Sequence, residues 1–116
     1  MSAAPTLRRG NLYSALPPAG PDEHFETLFA GENCRVERIV SHGHASPPGF
    51  WYEQDEDEWV VLLQGSAELD FADGTRLPLL PGDWVAIPAA CRHRVEATAP
   101  ATVWLAVFAA PIVTMA

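Results

Sequence analysis

Residues able to do chemistry gather between Trp51 and Arg94, in a stretch with a distinctive spacing. Glu58 stands seven residues before Gly65, sixteen residues separate Gly65 from Gly82, and Pro88 and His93 follow. The imidazole of His93, the carboxylate of Glu58, the amide of Gln54 and the phenol of Tyr52 are nitrogen and oxygen donors. Such donors suit Mn, Fe, Ni or Zn. His93 and Tyr52 could also work without metal, as base and acid on a bound small molecule. Arg92 and Arg94 flank His93 and offer charge to an anionic substrate or to the acidic run Glu53, Asp55, Glu56, Asp57 and Glu58. Exposed pairs of that kind stabilise by only ~0–1 kcal/mol. Cys91 lies two residues before His93. It reads as a small thiol, buried or half-buried.

The elements that must position these groups read as strands. Apolar alternation flanks Gly31-Glu32-Asn33 between Glu23 and Ser41, which predicts a hairpin. Phe50–Gln54 reads as a short aromatic strand and Glu58–Gln64 as the next, ended by Gly65. Ala67, Leu69 and Phe71 alternate with Glu68 and Asp70, and Asp73-Gly74 is a strong hairpin-turn signal before Arg76–Leu80. Trp84–Ile87, His93–Thr98 and Thr102–Phe108 complete the set. No useful window repeats every 3.6 residues, so the chain reads as an all-β sandwich or barrel. Residues 1–22 look like an arm with one short strand at Asn11–Leu16, 23–110 like the barrel, and 111–116 like a tail.

The spacing resembles the paired motifs of the cupin superfamily, RmlC-like jelly-roll barrels that often hold one metal. The first motif is an H-x-H pair, then a glutamate, then a glycine; the second is glycine, proline, glycine and histidine. Glu58 and Gly65 match the first, and Gly82, Pro88 and His93 the second. The resemblance runs from about Arg35 to Phe108 and implies a small single-domain double-stranded β-helix. The H-x-H positions hold Tyr52 and Gln54, the second motif's later glycine is Ala90, and Ala97 replaces a frequent asparagine. The implied metal set is therefore His93, Glu58, Gln54 and Tyr52, with Tyr52, Arg92 and Arg94 as substrate contacts. A phenol ligates only once its pKa near 10 is lowered. The alternative is a non-catalytic binding or sensing barrel with a vestigial, metal-free site. His42-Gly43-His44 is itself an H-x-H, but no glutamate follows at the motif distance, so it reads as a solvated turn pair.

Composition sets the outer bounds. A chain of 116 residues, 48% hydrophobic and 19% charged, is one globular domain. Net charge is −8 and all seven basic residues are Arg, which disfavours nucleic acid and anionic membranes as partners. Cys34 and Cys91 make no disulfide framework, and no signal peptide or spanning helix is visible. These features lead to the expectation of a cytoplasmic protein with a small-molecule ligand. On strand 58–64, Trp59, Val61 and Leu63 form a second apolar face opposite Glu58, Val60 and Leu62. A second subunit covering that face is expected, giving a homodimer; the competing cover is the arm.

Overall fold

Strand alternation and glycine turns build the whole architecture in a computed structural model that describes residues 4–111. The expected tail, apart from Pro111, and the first three residues of the arm lie outside the described residues. Eight strands follow in order: β1 (His24–Ala30), β2 (Cys34–Ser41), β3 (Asp57–Gln64), β4 (Ala67–Phe71), β5 (Arg76–Leu79), β6 (Trp84–Ile87), β7 (His93–Thr98) and β8 (Thr102–Ala109). They pair antiparallel in two sheets, ordered β1-β2-β8-β3-β6 and β5-β4-β7. The described residues contain no helix, and so none long and apolar enough to cross a membrane. This is the jelly roll expected from the sequence.

The two sheets enclose one core of Ile39, Val60, Leu62, Leu69, Leu79, Ile87, Trp104, Ala106 and Phe108. Each is set by period-2 alternation: Val60 and Leu62 on β3 face inward, while Trp59, Val61 and Leu63 face outward. The Asp73-Gly74 turn forms as expected, with Gly74 at φ +93° and the Thr75 amide donating to Asp73 Oδ1 at 2.9 Å. At Gly82, also at φ +93°, the chain turns from β5 into β6. Positive φ of this kind is open to glycine at little steric cost.

Two expected strands are absent. Asn11–Leu16 is a turn: its backbone is taken up locally, with Ser14 N–H donating to the Asn11 carbonyl at 3.1 Å and Tyr13 N–H to Asn11 Oδ1 at 2.8 Å. Asparagine competes in this way with ladder formation. Phe50–Gln54 forms only a single bridge, Tyr52 to His93, because the preceding Pro47-Pro48-Gly49 turn folds Phe50 N–H back to Pro47. The arm crosses the outer face of the larger sheet. Arg38 on β2 donates to the carbonyls of Leu12, Ser14 and Ala15 and pairs with Glu26 at 2.8 Å. His42 reaches the Pro17 carbonyl at 2.9 Å and His44 the Gly20 carbonyl at 2.8 Å. The H-x-H pair is thus a clasp for the arm rather than a solvated turn. Val40 and Val103, paired on this outer face, are buried, whereas Trp59 and Trp84 further along are 36% and 61% exposed.

Candidate ligand and metal site

Three segments bring the sequence-predicted residues together inside the barrel. Asp57 opens β3 with its carboxylate accepting from the Ala89 amide at 2.8 Å, which ties the start of the strand to the turn before β7. Glu58, next in line, faces inward. The turn at 88–91 closes with Cys91 N–H donating to the Pro88 carbonyl at 3.2 Å, and it delivers His93 at the head of β7. The segment carrying Tyr52 and Gln54 is stitched alongside. Tyr52 and His93 exchange both backbone hydrogen bonds, at 2.7 and 3.1 Å, and the Ala90 amide donates to the Gln54 carbonyl at 2.7 Å.

Glu58 and His93 meet. Glu58 Oε1 lies 3.6 Å from His93 Nε2, and both side chains are almost fully buried. His93 Nδ1 lies 2.9 Å from the Cys91 carbonyl, which can only accept, so Nδ1 carries the proton and Nε2 turns toward the carboxylate. Burial alone would lower the His93 pKa, but the Glu58 carboxylate and the Cys91 carbonyl outweigh it and raise the net value. The Tyr52 ring stacks on the His93 ring, with centroids 5.5 Å apart and planes 26° from parallel. Burial, reinforced by Glu23 and Glu58, raises the Tyr52 pKa and keeps it a neutral phenol.

These groups line a cavity of about 70 Å³ with Glu23, Phe25, Ile39, Gln54, Val60, Leu69, Ile87, Val95, Trp104 and Phe108. Tyr52, Gln54, Glu58 and His93 are therefore brought together. Arg92 and Arg94 are not part of the lining. Arg92 lies over Trp51 and 3.8 Å from Glu53, and Arg94 donates to the carbonyls of Ser46 and Pro47. Cys91 packs half-buried against the core, and both cysteines are free thiols.

Glu23 is the site residue that the sequence reading missed. Ser41 Oγ donates to Glu23 Oε2 at 2.6 Å and accepts from Trp104 Nε1 at 3.1 Å, so a buried relay holds the carboxylate at the cavity. One signal could have found it. Phe25 pairs with Ile39, a core residue, and Glu23 stands two residues before Phe25, on the same side of the chain.

Whether these donors fit a metal can be judged from their chemistry. Among the described residues no group of three or more His, Cys, Asp or Glu is arranged to hold an ion. A carboxylate and a histidine whose other nitrogen is already anchored do form a two-point seat. Ligand atoms about 2.0–2.2 Å from one ion stand roughly 3.0–3.5 Å apart, close to the observed 3.6 Å. The Gln54 side-chain amide is a further oxygen donor in the same lining, whereas Tyr52, expected as a ligand, has its pKa raised by burial and so is held away from the phenolate that ligation needs.

Comparison with known proteins settles the family. A sequence model of the cupin domain matches residues 36–108. The chain belongs to the cupin family. A crystal structure from Ralstonia eutropha JMP134, described as a "putative mannose-6-phosphate isomerase", is 45% identical, with 90% of this chain and 99% of that one covered and a TM-score of 0.86. A cupin superfamily protein from Desulfitobacterium hafniense DCB-2 shares the fold at 20% identity, 92% and 94% coverage and a TM-score of 0.75. KdgF from Halomonas sp. does so at 17% identity, 83% and 87% coverage and a TM-score of 0.68. No functionally curated protein matches by sequence.

Proposed function

We propose that this cupin binds a small molecule in the barrel cavity beside one divalent ion (Mn, Fe, Ni or Zn) seated on Glu58 and His93. The Gln54 side-chain amide is the further oxygen donor, while the Tyr52 hydroxyl, kept protonated, faces the ligand rather than the ion. The observation that carries this reading is the anchored imidazole. With Nδ1–H committed to the Cys91 carbonyl, Nε2 presents its lone pair to a buried carboxylate 3.6 Å away. A bound ion there would act as a Lewis acid on a ligand oxygen. The protein's own part is to exclude water with Ile39, Val60, Leu69 and Phe108 and to orient the ligand against Tyr52 and Trp104.

A second reading rests on the same contact. A proton can stand where the ion would, because Glu58 raises the affinity of His93 for it. The barrel is then a metal-free binding or sensing module. Elemental analysis of untagged protein, with Glu58→Ala and His93→Ala beside it, separates the two. The metal reading expects stoichiometric metal in the wild type and its loss in both variants. Metal retained by both variants would refute the assigned ligands, and wild-type protein without metal after growth in Mn, Fe, Ni or Zn would favour the module.

A further inference from the structure

The charge of the cavity lining has a consequence for the ligand. Two carboxylates, Glu23 and Glu58, line the cavity, while none of the seven arginines does, and the sequence has no lysine. The arginines are placed elsewhere. Arg8, Arg9 and Arg38 border a groove under the arm, Arg35 pairs with Glu56, Arg76 is near Asp70, and Arg92 and Arg94 lie outside the lining. The described residues also contain no helix, and so no helix N-terminus to receive an anion. A phosphate needs such partners. The polar groups that do line the cavity mix acceptors and donors: the carboxylates of Glu23 and Glu58 accept, while the neutral Tyr52 hydroxyl and the Gln54 side-chain amide can donate. Hydroxyl groups, which both donate and accept, match that mixture, whereas an ammonium or a phosphate matches only half of it. Phe25, Trp104 and Phe108 supply apolar faces beside them. The space is small. At about 10–15 Å³ for each water-sized position, about 70 Å³ accepts roughly five to seven non-hydrogen atoms.

Resting on the reading of this cavity as a small-molecule site, we infer that its ligand is a neutral, hydroxyl-rich molecule, a short polyol or one end of an uncharged sugar. Glu23 is the residue that excludes anions. A phosphate group is then disfavoured in the metal-free cavity, although the 45%-identical relative carries the name "putative mannose-6-phosphate isomerase".

The test is saturation-transfer NMR on the full chain, metal-stripped and Mn-loaded. The probes are glycerol, mannose, mannose 6-phosphate, and ethanolamine against ethylene glycol. Glycerol and mannose should bind, and mannose 6-phosphate at least about tenfold more weakly on metal-stripped protein. Glu23→Gln, which keeps an acceptor for Ser41, should shrink that gap to a few-fold, and Glu23→Arg should reverse it. The inference is overturned if the 6-phosphate binds wild type as well as mannose does, if no neutral polyol binds at millimolar concentration, if ethanolamine outcompetes ethylene glycol, or if Glu23→Gln leaves the gap unchanged. Absence of metal with this selectivity intact would remove the metal reading alone.

Discussion

Gly65 ends β3, and its replacement by alanine isolates the contribution of one motif glycine. Its backbone sits at φ +88°, and a Cβ built there would overlap Thr102 Oγ1 and stand 2.9 Å from Thr102 Cα. Thr102 cannot retreat. It is fully buried, its hydroxyl donates to the Ala99 carbonyl at 2.7 Å, and its backbone belongs to β8 at the centre of the larger sheet. Gly82, the motif glycine of the other turn, has nearly the same φ, +93°, but open space where its Cβ would go. Both alanines therefore suffer left-handed backbone strain of about 1–2 kcal/mol. Only Gly65→Ala adds overpacking, about 1–3 kcal/mol. Changes in unfolded-chain entropy are shared and cancel between the two. Gly65→Ala should thus be the less stable by about 1–3 kcal/mol, or roughly 4–12 °C in Tm for a domain of this size. Urea unfolding followed by tryptophan fluorescence, with m-values compared, reads this directly. Equal midpoints for the two variants would show that the β3–β8 approach is not what requires glycine.

Other consequences can be checked in the same preparation. Ala90 stands at φ +65° where the cupin motif has glycine, so Ala90→Gly should stabilise slightly, by about 0.5–1 kcal/mol after the entropy cost of glycine, as a rise in Tm. Without metal, the raised His93 pKa means that the Glu58–His93 contact stabilises fully below the unfolded histidine pKa of about 6.5 and is lost as pH rises through the higher folded value. Denaturation across pH 5–9 should therefore show wild type losing stability relative to His93→Gln with rising pH, and a parallel pair of curves would discard the assignment. Metal affinity, if present, should run the other way and increase with pH, because ion and proton compete for Nε2. We also propose that the exposed Trp59–Trp84 pair on the outer face, with ring centroids 5.9 Å apart, meets a second copy of the chain. Light scattering should find a dimer that Trp84→Glu dissociates, and a wild-type monomer at micromolar concentration ends that idea.

What could be read from the chain, and what could not, follows from the range of each signal. Alternation and glycine turns are local, so β1 through β8 were legible nearly to their ends, as was the convergence of Glu58 on His93. The failures came where a short segment bonds to itself or to something distant. Asn11–Leu16 reads as a short strand, but its amides bond within the segment and Arg38 captures its carbonyls, so it forms a turn. His42 and His44 read as a solvated turn pair because the carbonyls they clasp, Pro17 and Gly20, lie 25 and 24 residues away in the chain. The arginines could have been placed better. Residues adjacent in a strand face opposite ways, so if His93 points into the barrel, Arg94 next to it on β7 points out, and the structure has it bonded to the 46–47 turn.

Replacing the H-x-H pair with Tyr52 and Gln54 changes the site in a definite direction. Two imidazoles would have brought neutral nitrogen donors able to seat an ion with little help. In their place the chain has a phenol kept protonated by burial and by two carboxylates, and an amide that ligates weakly. The electrostatic character of the cavity then falls to Glu23 and Glu58. Glu23 enters from the residue just before β1, outside both motifs and outside the matched span of 36–108. The matched motifs therefore account for the barrel and for one side of the cavity. On the proposed reading, selectivity rests on a carboxylate that the Ser41–Trp104 relay holds at the cavity, and a relative could share the barrel while differing there.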